Sequence, residues 1–151
     1  ANGSHVAEVE VDIETGEVKI LRYVVAHDCG NLINPMIVDG QVRGAIAQGI
    51  GGAIYEEIVY DETAQPLSTT YLDYLLPTAT EVPEILVGHL ESPSPVTVGG
   101  IKGMGESGLI AAQGSVVSAV LDAISPFEPS LETLELPLTP QRVLQLIGRI
   151  S

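Results

Sequence analysis

The residues best suited to chemistry lie in one run, Gly99-Gly100-Ile101-Lys102-Gly103-Met104-Gly105-Glu106-Ser107-Gly108. It sets a single carboxylate, Glu106, among glycines, with apolar Met104, Leu109 and Ile110 close by in sequence. Glycine serves where backbone must bend sharply or come near a ligand. Desolvated by such neighbours, the carboxylate becomes a proton acceptor at a helix start; left in water, it is an ordinary first-turn Glu favoured by the helix dipole. Gln41 is a second candidate. It stands between Gly40 and Gly44, and its amide offers donors and an acceptor to a polar group, although a solvated helix residue has the same composition.

Other motifs carry less. Gly49-Ile50-Gly51-Gly52-Ala53 looks like part of a dinucleotide fingerprint, but a helical rather than a strand pattern precedes it. Lys102 is followed by Gly103 instead of Ser or Thr, so there is no Walker A loop. His27, Asp28 and Cys29 can ligate metals, yet in extended backbone only His27 and Cys29 share a face, and no metal site is assigned. Cys29 reads as a small buried side chain, His5 as isolated, and His89 as an ordinary surface or edge residue.

The elements that must hold these residues follow from periodicity. Val9, Val11 and Ile13 alternate with acids, Glu14 to Glu17 turn, and Val18 to Ala26 resume, which predicts a hairpin. Asn34-Pro35 is a helix start, with Asn as cap and Pro at the first helical position, and the helix runs to about Tyr55. Its glycines cost close to 1 kcal/mol each against Ala, so tight packing is expected at most of them, and Gly44→Leu is expected to overpack. Ile58 to Tyr60 and Ile85 to Leu90 are predicted strands. A second long helix is predicted over Ser107 to Ile124, burying Ile110, Val117, Val120, Leu121 and Ile124. Leu134 to Leu136 reads as a short strand, and Thr139-Pro140 starts a terminal helix over Gln141 to Ile150. The sum is an α+β fold: a mixed sheet of hairpins packed with two long helices and a short terminal one.

A chain of 151 residues with 45% hydrophobic residues makes one domain, 1–151, with a real core. Its net charge of −14 argues against nucleic acid and anionic membrane surfaces as partners, and no apolar run reaches spanning length. One cysteine cannot hold an iron–sulfur cluster, so any redox electrons must leave through a partner. A cytoplasmic setting is compatible with this composition. The start at Ala1, already in a strand pattern, suggests a piece of something longer.

Three stretches then align in order: Asp28-Cys29-Gly30 with Ile33-Asn34-Pro35, Gly40-Gln41-Val42-Arg43-Gly44 through Gln48-Gly49, and Lys102-Gly103-Met104-Gly105-Glu106-Ser107. Together they resemble the C-terminal part of the molybdenum-binding subunit of the xanthine dehydrogenase/aldehyde oxidase family, which includes the large subunit of aerobic carbon monoxide dehydrogenase. The resemblance implies a molybdopterin-binding-domain-like fold and a molybdopterin cofactor carrying molybdenum, commonly in the cytosine dinucleotide form. It implies that Glu106, in a loop with Gly103 and Gly105, is the general base of a hydroxylation using water-derived oxygen. It implies that Gln41 contacts the cofactor, and that the pterin, not protein side chains, holds the metal. The expected partners are the rest of the molybdenum subunit, an iron–sulfur subunit, a flavin subunit carrying FAD, and a small-molecule substrate. Aldehydes, N-heterocycles and carbon monoxide all stay open as substrates, as does a part for copper. The alternative is an assembly or binding module that keeps the fold without holding the cofactor alone.

Overall fold

The computed structural model describes residues 1–127, 129 and 134–150. Strands β1 (Asn2–Val11) and β2 (Val18–Asp28) form the antiparallel hairpin. Asp12 makes its turn, accepting from the Glu14 and Thr15 amides at 2.8 and 3.1 Å, which ends β1 at Val11 short of Ile13. Helix α1 (Pro35–Ile54) follows, capped by Asn34 Oδ1 at 3.3 Å from the Ile37 amide. Strand β3 (Ile85–Leu90) then joins β2 in parallel, so the sheet order is β1-β2-β3 and the sheet is mixed. Helix α2 (Ala112–Ile124) packs on β1 and α1, and α3 (Pro140–Leu146) closes the chain.

A bulge in the hairpin sets which residues face the core. Glu8 pairs with Arg22 but Val9 pairs with Ile20, leaving Leu21 as the extra residue. Inward residues are therefore Val18 and Ile20 before the bulge, and Tyr23, Val25 and His27 after it. A strand repeats every two residues, so one inserted residue swaps the faces. Without Leu21 in this place His27 would point to the opposite side of the sheet.

Some sequence expectations are corrected. Ile58 to Tyr60 is no strand: Tyr60 makes an isolated bridge with Pro66, and all three residues are more than two-fifths exposed. Leu134 to Leu136 is likewise irregular; the buried anchor of that region is Leu138, whose amide donates to the Ala53 carbonyl at 2.7 Å. The second helix begins at Ala112, not Ser107. Short turns precede it, Leu109 N to Glu106 O at 2.9 Å and Ala112 N to Leu109 O at 3.0 Å, because Ser107 and Gly108 are held off the helix axis by contacts described below. Its buried stripe is Ala112, Val116, Val120 and Ile124, an i, i+4 series, while Ile110 is 83% exposed.

Four of the α1 glycines divide into two sets. A Cβ on Gly49 would lie 2.3 Å from Ala112 Cβ, and one on Gly52 would lie 2.2 Å from the Gln113 side chain, so these seat α2. Gly40 and Gly44 have nothing within 4 Å, so the expected overpacking at Gly44 is corrected: a larger side chain there enters open space. Gly44→Ala is expected to stabilise the isolated chain by up to about 1 kcal/mol through helix propensity, read as a higher urea midpoint.

Candidate functional site

The Gly-rich run is tacked to the end of β2 at successive points. Gly30 bridges Ile101, and the Lys102 amide donates to the Cys29 carbonyl at 2.8 Å. Gly30 has φ +72°, and a Cβ there would sit 2.2 Å from the Gly100 carbonyl oxygen, so only glycine permits this crossing. Downstream, Gly108 rests on α1: a Cβ there would lie 3.0 Å from the Val42 carbonyl oxygen and 3.1 Å from Ala45 Cβ. The loop therefore crosses α1 one residue past Gln41 and two residues past Glu106.

Asp28 is the polar anchor beneath the loop. Nearly fully buried, it accepts from the Ser92 hydroxyl, from the Gly30 amide at 2.8 Å and from Lys102 Nζ at 3.1 Å. The Ser92 hydroxyl first, then the Gly30 amide, hold its carboxyl well below the usual value of 3.8. A depressed folded-state pKa stabilises fully above the unfolded value and is lost as pH falls through the folded one. The stability lead of the native chain over Asp28→Asn is thus expected to stay flat from neutral pH to about 4 and to narrow below that, as followed by urea denaturation at each pH.

Glu106 is exposed at the wall of an open recess of about 680 Å³ that Gly103, Met104, Gly105, Ile110 and His5 also line. Gly103 and Gly105 have no positive φ and nothing within 4 Å of a Cβ, so neither backbone conformation nor packing within this chain requires glycine there. Gln41 is exposed on α1 and does not line this recess. The backbones of the two candidate regions meet at Gly108 and Val42, but their functional side chains do not converge within this chain.

His5 was not singled out by sequence, and the structure gives it a place. Its Nδ1 lies 2.8 Å from the Tyr23 hydroxyl, which lies 2.7 Å from Ser115 Oγ, which in turn donates to the Ala112 carbonyl at 2.9 Å. Hydrogen accounting along this relay makes His5 Nδ1 the donor and Nε2 the bare acceptor. That Nε2 is buried and has no partner among the described residues. Its signal in sequence was its phase: His5, Ala7, Val9 and Val11 share the inward side of β1. His89 stands on the edge strand β3 as expected, but its side chain is mostly buried and hydrogen-bonded to Asp39 Oδ1 at 2.6 Å. Cys29 is buried as expected, and burial pushes its thiol pKa up. Among the described residues no group of three or more His, Cys, Asp or Glu is placed to hold a metal ion.

Residues 1–83 match the family model of the molybdopterin cofactor-binding domain. The chain is 46% identical over 96% of its length to the nicotine 6-hydroxylase large subunit of Paenarthrobacter nicotinovorans, spanning 18% of that protein. It is 36% identical over 93% of its length to the carbon monoxide dehydrogenase large chain of Hydrogenophaga pseudoflava, spanning 17% of it. Quinoline 2-oxidoreductase from Pseudomonas putida 86 superposes with a TM-score of 0.91 at 49% identity, over 96% of this chain and 18% of that one. The chain thus spans about a fifth of the length of these relatives. With the family model matched over more than half its residues, and relatives of this kind along almost all of it, the chain belongs to the molybdopterin cofactor-binding domain family, among the molybdenum-binding subunits of xanthine dehydrogenase, aldehyde oxidase and carbon monoxide dehydrogenase type.

Proposed function

We propose that this chain, as a single domain, forms one wall of the molybdopterin pocket of a molybdenum hydroxylase, with Glu106 as general base and Gln41, Gly103 and Gly105 as cofactor contacts. The observation that carries this is a carboxylate at a recess whose glycines nothing inside the chain requires. A bulky group lying against the loop backbone accounts for both glycines, and the side chains of His5 and Glu106 add polar groups to the same recess wall. The residues therefore fit a polar cofactor of this size.

When bound, the molybdopterin supplies a two-electron redox centre at which a small substrate is oxidised with water-derived oxygen. Glu106 is the one acidic side chain lining the recess among the described residues, and its carboxylate would be the group there able to accept a proton. Met104 and Ile110 supply apolar surface beside it. Once the rest of the subunit closes the recess, that surface excludes water from the carboxylate. Gln41, on the open face of α1 with Gly40 and Gly44, presents amide donors to the cofactor. The openness of the recess in this chain supports a need for the rest of the subunit to retain the cofactor.

The cytosine dinucleotide form, an iron–sulfur subunit and an FAD-bearing flavin subunit complete the assembly, placed in the cytoplasm; the single buried Cys29 leaves electron transfer to those partners. Identities of 46% and 49% to enzymes named for nicotine and quinoline, against 36% to the carbon monoxide enzyme, favour an aromatic N-heterocycle as substrate. The test is Glu106→Gln in the complete, cofactor-loaded subunit. Loss of turnover with molybdenum retained supports the assignment; full turnover removes Glu106 as the base.

A further inference from the structure

The loop that carries Glu106 is gripped from beneath by a histidine. His27 is fully buried on β2, turned inward by the bulge at Leu21. Its Nε2 lies 2.6 Å from Ser107 Oγ, and that hydroxyl lies 3.1 Å from the Met104 carbonyl oxygen. A hydroxyl carries one hydrogen. With it given to Met104 O, Ser107 Oγ accepts from His27 Nε2–H. The other ring nitrogen, Nδ1, is buried without a partner among the described residues, as the neutral Nε2–H tautomer leaves it. Burial first, and then His89, push the His27 pKa below its ordinary value, which keeps the ring neutral.

The ring has little room to swing. His27 pairs with Gly3 on β1 and with His89 on β3, whose ring meets it edge-on at 6.4 Å between centroids. What it holds would otherwise be loose. Gly105 touches nothing within 4 Å of its Cβ position, and Glu106 is exposed. The hydrogen bonds from Ser107 Oγ to Met104 O and from His27 to Ser107 Oγ close a bracket around those two residues.

We propose that His27 is a positioning residue for Glu106, acting through Ser107 Oγ to fix the Met104–Ser107 bend and so the reach of the carboxylate into the recess. This rests on Glu106 being the base. It is tested in the complete subunit, assembled with its partners and cofactor, by His27→Phe, His27→Gln, Ser107→Ala and the double variant His27→Phe/Ser107→Ala. Phe keeps the ring bulk without the donor; Gln returns an amide N–H near the Nε2 position; Ser107→Ala removes the acceptor from the loop side if His27→Phe fails to fold.

Turnover is expected to fall about 10- to 100-fold in His27→Phe and in Ser107→Ala, with KM within about threefold of native and molybdenum content unchanged. His27→Gln is expected to recover most of the loss. The double variant is expected to be no worse than the poorer single one, because both remove one contact. Independently of turnover, hydrogen–deuterium exchange in the peptide covering residues 103–109 is expected to quicken by about tenfold in both single variants, reporting the Leu109 N–H to Glu106 carbonyl bond. Unchanged exchange in both overturns the proposal, as does an additive loss in the double variant. Faster exchange alongside full turnover in Glu106→Gln supports the grip on the loop and removes the base assignment instead.

Discussion

Glu106→Gln in the complete, cofactor-loaded subunit is expected to lower kcat by about 10²- to 10⁴-fold, the range that a positioned general base contributes. Glutamine keeps the length and hydrogen-bonding shape of the side chain but takes up no proton. The substitution is clean in this fold. The side chain is exposed in the chain, and the residue's tie to its surroundings is its backbone carbonyl, which accepts from the Leu109 amide at 2.9 Å. Melting temperature and molybdenum content are therefore expected to match the native protein. Glu106→Asp, one methylene shorter, keeps a proton acceptor at the wrong reach and is expected to fall between the two. Native turnover in the Gln variant would move the base elsewhere, and His5 is the other titratable side chain lining that recess.

How far the sequence reached depends on whether the signal was local. The helix start at Asn34-Pro35 was legible because capping and the missing proline N–H act within a few residues. The hairpin was legible because Val9 and Val11 alternate with Glu8 and Glu10 at the end of β1, just before the turn. The bulge at Leu21 was not, because its signal is a phase slip between two strands rather than a residue type. That slip decides that His27 faces inward, so the support of the Glu106 loop was out of reach too. The delayed start of α2 has a similar cause: Ser107 and Gly108 suit a first helical turn, but tertiary contacts to His27 and Val42 claim them. Ile58 to Tyr60 has strand composition, yet an isolated bridge is all it makes, and composition carries no information about whether a partner strand is present. At the site, Glu106 and its glycines stood out by type, whereas the relay from His5 through Tyr23 to Ser115 joins residues far apart in sequence and of no unusual kind.

Gly49→Leu is expected to destabilise the protein by about 3 kcal/mol or more, at the upper end of overpacking effects. Several features of the contact lead there. A Cβ alone would stand 2.3 Å from Ala112 Cβ and 3.3 Å from the Gln113 amide nitrogen, and neither atom belongs to a flexible side chain. Gly49 and Ala112 are both buried, so no solvent-facing rotamer is open to the new side chain. Relief requires α1 and α2 to part, and Ala112 lies on the same buried stripe of α2 as Val116 and Val120, which are fully buried and hold that face in the core. The strain therefore passes into the first turn of α2 and the short turns before it, which lead back to Glu106. The variant is expected to lose both its thermal midpoint and its turnover, whereas Gly44→Ala, on the open face of the same helix, leaves the fold intact. That contrast separates the packing of one helix face from glycine content in general. Equal melting temperatures for Gly49→Leu and the native protein would mean that the two helices do not meet at this residue, and the placement of the Glu106 loop over α1 would lose its footing with it.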